Sequence, residues 1–327
     1  MAAGALFLTE GGSTSGFGHI ARCIALAQAF TRMAPEFRSE FLVDGDERVS
    51  TLAAAERVPI RLLDWRHEID SLLPRLPRYA MVVVDSYRAS GPEIEAIAAV
   101  CGHRLLLLDD HDRFPSAAGT IVQPAVCGSS APRDPQTDGR CFSGPDYVLL
   151  REPFWRTPSR SCAKSIRSVL LSLGGSRLAA RTIDRIAACF TGPTRRKVVV
   201  LDPRQTTVNA SEVMQRMLEA DVCLSAGGTT SEELACLGVP AIGIAISRHQ
   251  VRSLQALHAA GCLRYVGEAD SMHLETEILE ALEGMAPTEE RRRMSRAGRA
   301  LIDGQGALRV AREMNSAIAG SSPASRE

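Results

Sequence analysis

The sequence predicts an α/β protein of two Rossmann-like halves, each built on a parallel sheet. Three observations carry this expectation: apolar runs without polar alternation, amphipathic stretches at helical spacing between them, and recurrence of the pattern on both sides of a basic segment. Continuous β-branched and Leu-rich runs are what strands buried on both faces look like. Strands alternating with helices give parallel sheets.

In chain order, the first half predicts strands over 5–9, 39–43, 81–85 and 105–109, with helices over 20–31 and 92–100. The second half predicts strands over 168–173, 197–202, 222–225 and 241–246, with helices over 179–190, 230–237 and 250–260. Between them, 156–167 holds Pro158, three serines and four basic residues with no hydrophobic period, which marks a linker. The expected domains are therefore 1–157 and 158–327. The last segment, 287–314, reads as a charged helix, a break at Asp303-Gly304-Gln305-Gly306 and a second helix placed with the C-terminal domain. A Ser-, Gly- and Pro-rich tail after 317 is expected to fray.

A chain of 327 residues suits two domains, and 45% hydrophobic with 23% charged residues is an ordinary globular composition. With 38 basic against 38 acidic residues, no global field favours nucleic acid or an anionic membrane, so any anion site is local. No stretch reaches 18 apolar residues, and the N-terminus lacks a basic, signal-like region; the reading is a cytoplasmic monomer without a membrane partner. The nine cysteines, Cys127 among them, form no C-x-x-C pair and read as reduced thiols rather than zinc ligands. Neither cofactor nor metal is expected.

Two glycine-rich segments follow predicted strands. The first, Gly11-Gly12-Ser13-Thr14-Ser15-Gly16-Phe17-Gly18-His19, opens a helix whose N–H groups can meet an anion. His19 falls in its first turn, where the positive helix end disfavours the imidazolium and leaves the ring able to accept a proton. A plain glycine turn with a capping histidine fits the same spacing. The second, Leu224-Ser225-Ala226-Gly227-Gly228-Thr229-Thr230, leads into a helix ended by Gly238 and Pro240 and forms a pyrophosphate cradle. Glu233, one turn in, can grip a ribose diol; the bland alternative is a solvated glutamate. Leu173-Gly174-Gly175-Ser176 is a weaker third cradle. Asp109-Asp110-His111-Asp112 reads as a solvated strand end rather than a metal cluster, Trp65 and Trp155 as core or lid residues, and Arg291-Arg292-Arg293 as a solvated helix face.

With these residues quoted, the chain from Gly16 to about Val310 resembles the UDP-2,4-diacetamido-2,4,6-trideoxy-β-L-altropyranose hydrolases of pseudaminic acid biosynthesis, relatives of the GT-B glycosyltransferases. The carriers are Gly16-Phe17-Gly18-His19-Ile20 with Arg22-Cys23 and Ala25-Leu26-Ala27, Val84-Asp85-Ser86-Tyr87, Tyr147 to Arg151, Leu173 to Ser176, Ser225 to Pro240, and Asp303 to Ala307. The second half also resembles the UDP-GlcNAc transferase of peptidoglycan synthesis. The resemblance implies a GT-B-like fold with two sheets facing a central cleft.

It further implies that His19 is the catalytic base, activating water for attack on the anomeric carbon of a UDP-sugar, with Tyr87 shaping the water and sugar site. Gly16, Gly18, Arg22, Arg151, Gly174, Gly175, Gly227, Gly228, Thr229, Thr230, Glu233, His249 and Gln250 are the implied substrate-binding positions. Two departures stand out: the family usually has Asp-His-Tyr where this chain has Asp85-Ser86-Tyr87, and Asn-Gln where it has His249-Gln250. A glycosyltransferase using the same donor and a non-catalytic nucleotide-sugar module remain open alternatives.

Overall fold

A computed structural model describes residues 4–114, 119–124, 126, 140–175, 177–190, 196–202 and 209–320. Cys127, Ser176 and the tail from 321 lie outside the described residues. The chain divides into two compact units: 1–12, 17–151 and 305–327 in the first, 13–16 and 152–304 in the second.

The first unit runs β1 (Gly4–Gly11), α1 (Gly18–Met33), β2 (Arg38–Gly45), α2 (Glu47–Ala55), β3 (Ile60–Leu62), α3 (Ile69–Leu72), β4 (Met81–Asp85), α4 (Gly91–Cys101), β5 (Leu105–Leu108), β6 (Thr120–Gln123) and β7 (Arg140–Ser143). Its seven strands lie in the order β3-β2-β1-β4-β5-β6-β7, all parallel. All of β1 and β4 is buried, as their unbroken apolar character requires. The order reverses between β1 and β4, so the carboxyl ends of these strands flank the position where open parallel sheets bind ligands. Trp65 is fully enclosed, its indole N–H donating to the Thr9 carbonyl at 3.0 Å. Trp155 is also buried, so both tryptophans are core residues.

The second unit contains β8 (Ser168–Ser172), α5 (Arg177–Ala188), β9 (Lys197–Val200), α6 (Ala210–Glu219), β10 (Val222–Ala226), α7 (Thr229–Leu237), β11 (Ala241–Ala245), α8 (Val251–Ala259), β12 (Leu263–Glu268), α9 (Leu274–Gly284) and α10 (Thr288–Leu301). Its parallel sheet has the order β12-β11-β10-β8-β9, with the reversal between β8 and β10. Val169, Leu171, Leu224, Ile242 and Ile244 form the sheet side of its core, covered by α5 and α9 through Ile183, Ile186, Ile278 and Leu282.

The final helix, α11 (Gly306–Gly320), belongs to the first unit, where it packs on α1. This differs from the expected 158–327 grouping, and its cause is apolar complementarity with local polar ties. Ala307, Val310, Ala311 and Met314 are buried, Arg309 donates to the Asp146 carbonyl at 2.9 Å, and Glu313 pairs with Arg140 at 2.5 Å. The Asp303-Gly304-Gln305-Gly306 break is required by backbone proximity. A Cβ on Gly306 would lie 2.2 Å from the Val148 carbonyl oxygen, and one on Gly304, where φ is +80°, would meet the Phe154 carbonyl oxygen at 2.1 Å.

The segment 156–167 has no helix or strand, but arginines hold it to the second unit. Arg299 donates to the carbonyls of Pro158 and Leu237, and Arg291 to those of Ala163, Lys164, Met285 and Ala286. Arg291 is fully buried, which corrects its reading as part of a solvated face; only its neighbours Arg292 and Arg293 are exposed. A guanidinium has five N–H donors, and here a ring of backbone carbonyls replaces water as acceptor.

Candidate functional site

The chemically dense site of the first unit lies at the carboxyl ends of β1, β4 and β5. His19 is the second residue of α1 and is buried, as are Glu10 at the end of β1 and Asp85 at the end of β4. His19 Nδ1 lies 2.6 Å from Asp85 Oδ1. Asp85 also accepts from Arg22, Nε to Oδ2 at 3.1 Å and Nη2 to Oδ1 at 2.7 Å. Arg22 Nη2 approaches His19 Nδ1 at 3.1 Å, but both nitrogens converge on the same carboxylate oxygen, which assigns the Nδ1 proton to Asp85. Nε2 is then the ring's acceptor.

Burial opposes ionisation of Asp85, but Arg22 and His19 more than offset it, holding its carboxyl below the ordinary range. Arg22 spans a second carboxylate, donating from Nη1 to Asp110 Oδ2 at 2.5 Å. Asp110 Oδ2 also accepts from the Tyr87 hydroxyl at 3.0 Å. Burial, then the charge of Asp110, pushes the Tyr87 phenol well up, so it remains a protonated donor. The Tyr87 ring stands edge-on to His19, with centroids 4.3 Å apart. Arg113 pins the tyrosine's loop by donating to the carbonyls of Ser86 and Tyr87 at 2.6 and 3.0 Å.

Glu10 completes the cluster. Its Oε1 lies 3.7 Å from His19 Nε2, and its carboxylate accepts from Ser86 Oγ at 2.5 Å, Tyr87 N at 3.3 Å and Arg88 N at 3.4 Å. Ser86 Oγ in turn accepts from the backbone N–H groups of Arg88 and Ala89 at 3.0 and 3.1 Å. Ser86, one of the departures from the resembled pattern, therefore ties β4's following loop to β1.

Among the sequence-derived candidates of this unit, the structure brings His19, Arg22 and Tyr87 together, with Gly18 opening α1. Arg151 is engaged by Glu56, at 2.9 Å in a buried ion pair. The sequence reading missed Glu10, Asp110 and the role of Asp85 as partner of His19. A signal was present: Glu10, Asp85 and Asp109-Asp110 all place carboxylates at the ends of apolar strands. The Asp109 to Asp112 stretch is not a solvated strand end, since Asp109 is buried and accepts from Phe114 N at 3.0 Å while Asp110 holds Arg22. Among the described residues, no group of three or more His, Cys, Asp or Glu is arranged to hold a metal ion.

In the second unit, Gly227, Gly228, Thr229 and Thr230 join β10 to α7, and Gly174 and Gly175 follow the adjacent strand β8. Gly228 has φ +133° and Gly174 φ +83°, and a Cβ at either position would meet nothing within 4 Å. Both glycines thus present open backbone at the sheet reversal. Ser231 closes the first turn of α7, its hydroxyl donating to the Gly228 carbonyl at 2.7 Å. Ser231 N and Glu232 N donate to the same carbonyl at 3.0 and 3.4 Å, and Gly228 N to Ser231 Oγ at 3.3 Å, so an anion at this helix start would meet the N–H groups of Thr229 and Thr230. Glu233 is buried, unlike a solvated helix residue. Gln250 packs where a Gly227 side chain would be, with Cβ positions 2.8 Å apart, and accepts from Ile246 N at 2.9 Å. His249 lies 3.2 Å from Ser247 Oγ. Gly16, grouped with this unit, has φ +77°.

No protein-family model matches the chain. It is 21% identical over 323 residues to the spore coat polysaccharide biosynthesis protein SpsG of Bacillus subtilis (strain 168), covering 92% of this chain and 94% of that protein. Its structure is similar to that of MurG from Acinetobacter baumannii, with a TM-score of 0.61 at 13% identity, covering 95% and 99% of the two chains. It is similar also to the calicheamicin glycosyltransferase CalG4, with a TM-score of 0.59 at 16% identity, covering 98% and 99%. A putative UDP-N-acetylglucosamine 2-epimerase from Listeria monocytogenes gives a TM-score of 0.58 at 13% identity, covering 97% of both chains. The fold is that of the GT-B glycosyltransferases: two Rossmann-like α/β units with parallel sheets.

Proposed function

We propose that the chain is a nucleotide-sugar hydrolase that releases UDP and a free 2,4-diacetamido-2,4,6-trideoxy sugar in nonulosonic acid biosynthesis. The observation that carries this reading is the His19–Asp85 pair, 2.6 Å apart at the reversal of the first sheet. The likeness to a polysaccharide biosynthesis protein and to sugar-transferring enzymes supports the substrate class.

In this mechanism Asp85 holds the Nδ1 proton and Nε2 of His19 takes one proton from water. The water oxygen bonds to the anomeric carbon as the bond from that carbon to the diphosphate oxygen breaks, and UDP leaves with the electron pair. The imidazolium forms beside Asp85 and Glu10, whose charges favour it, and returns its proton to solvent. Tyr87 packs against the ring edge and limits its rotation. In the second unit, the helix start at Gly228-Thr229-Thr230 and the open backbone at Gly174 receive the diphosphate, and Glu233 receives the ribose hydroxyls. The helix termini supply the positive potential, so the reaction runs without a divalent cation. The enzyme works as a cytoplasmic monomer.

The test is incubation with a panel of UDP-sugars in water enriched in oxygen-18. The label is expected in the released sugar, with inversion at its anomeric carbon and no effect of EDTA. Label in the phosphate product would show attack at phosphorus, and a sugar transferred intact to an added acceptor would show a glycosyltransferase.

A further inference from the structure

We propose that Glu10 is a second carboxylate partner of His19, facing Nε2 as Asp85 faces Nδ1, and that it shares the reacting water with the imidazole. This rests on the hydrolase reading for the water, but the pairing of the two side chains can be tested without it.

The two oxygens of Glu10 are unequally used. Oε2 accepts from Ser86 Oγ at 2.5 Å and from Arg88 N at 3.4 Å. Oε1, the oxygen 3.7 Å from His19 Nε2, accepts from Tyr87 N at 3.3 Å. A carboxylate oxygen has two lone-pair directions, so Oε1 keeps capacity on the side facing the imidazole. At 3.7 Å the two atoms are too far apart for a direct hydrogen bond, but one water can donate a proton to each. Both hydrogens of that water are then engaged, and its oxygen lone pairs are left to face carbon. A base alone removes a proton; this pair also sets the direction of attack.

The charges around the ring agree with this role. Asp85 from β4, Glu10 from β1 and Asp110 after β5 are set against Arg22 from α1, with the Tyr87 phenol protonated. His111 and Arg113 also lie against the Tyr87 ring, at 5.2 Å between ring centroids and 5.5 Å from guanidinium to ring. The Arg88 guanidinium, paired with Asp44 at 2.8 Å, also feels the charge of Glu10, and Glu10 is the carboxylate on the Nε2 side of the ring.

Nuclear magnetic resonance titration of His19 in the full-length protein tests the pairing. In Glu10→Gln the midpoint is expected to fall, because an opposite charge 3.7 Å from Nε2 is lost. The acid limb of kcat should move with it, kcat should fall on the order of 10- to 100-fold, and KM should change little. Because a carboxamide offers one acceptor oxygen to three donors, Ser86→Ala serves as a second variant that loosens the same loop and keeps the charge. Its His19 midpoint should stay at the wild-type value. An unmoved midpoint in Glu10→Gln, or equal shifts in both variants, would overturn the proposal. A wild-type protein inert toward every UDP-sugar would instead sink the hydrolase reading, while the titration still decides the pairing.

Discussion

Arg22 grips Asp85 at two points, Nε to Oδ2 at 3.1 Å and Nη2 to Oδ1 at 2.7 Å, and so fixes the plane of the carboxylate that meets His19. Lysine offers a point charge in place of a fork. Arg22→Lys is expected to keep the fold and lower turnover about tenfold or more, a loss of roughly 1.4 kcal/mol in transition-state stabilisation. Steady-state kinetics of the proposed UDP-sugar hydrolysis in the two proteins would check this.

His19→Asn removes the base of the proposed reaction, and the residue lies in the first unit. Turnover should fall on the order of 100-fold or more, the usual scale for a lost general base. Affinity for UDP, measured by calorimetry, should stay at the wild-type value. Unchanged turnover would remove His19 from the reaction.

Asp85 carries an acid dependence. Its folded-state pKa lies below the ordinary value, so its stabilising contribution is present above about pH 4, where an unfolded aspartate ionises, and is lost as pH falls through the folded pKa. Asp85→Asn should therefore be less stable at pH 7 by about 3 kcal/mol, since Arg22 keeps Asp110 as a partner. Urea midpoints of the two proteins should converge as pH falls below about 4.

Glu233→Ala should weaken UDP binding by roughly 1–3 kcal/mol through loss of charged hydrogen bonds in a buried setting. Calorimetry with UDP alone reads this without any turnover. Wild-type affinity in the variant would reduce Glu233 to a structural residue of α7.

Arg291→Met keeps volume and removes the donors that serve Met285, Ala163, Lys164 and Ala286. Stability should fall on the order of 2–4 kcal/mol as buried carbonyls lose partners. The exposed neighbour makes the contrast: Arg292→Met should stay within about 0.5 kcal/mol of wild type. Thermal unfolding of the two variants distinguishes them.

Strands such as β1, β4, β8 and β10 were legible because burial on both faces leaves an apolar run that no other element needs. The strands β3, β6 and β7 were not in the sequence reading, since three or four residues carry too short a pattern; β12 and the helices α2, α6 and α9 were also not read, although α6 and α9 are longer than α7 and α8. His19 and the Gly227-Gly228 turn stood out by local spacing. Glu10 and Asp110 did not, because their meaning depends on which strands become neighbours: 66 positions separate His19 from Asp85, and 76 separate Glu10 from Ser86. Arg291 was misjudged for a related reason. A triplet of arginines reads as solvated until the helix turns one of them onto a loop whose carbonyls need donors.

The return of α11 to the first unit bears on how the protein is made. Residues 1–151 leave the ribosome long before 305–320, by on the order of 10–30 s at ordinary elongation rates. During that interval α1 lacks the helix that covers it, and an apolar surface destined for Ala307, Val310, Ala311 and Met314 stays open. The second unit, contiguous from 152 to 304 apart from the short piece at 13–16, has nearly all of its chain by then. Completion order is thus reversed with respect to synthesis order: the half that carries His19 is begun first and closed last, which makes the nascent first unit the natural client of a chaperone.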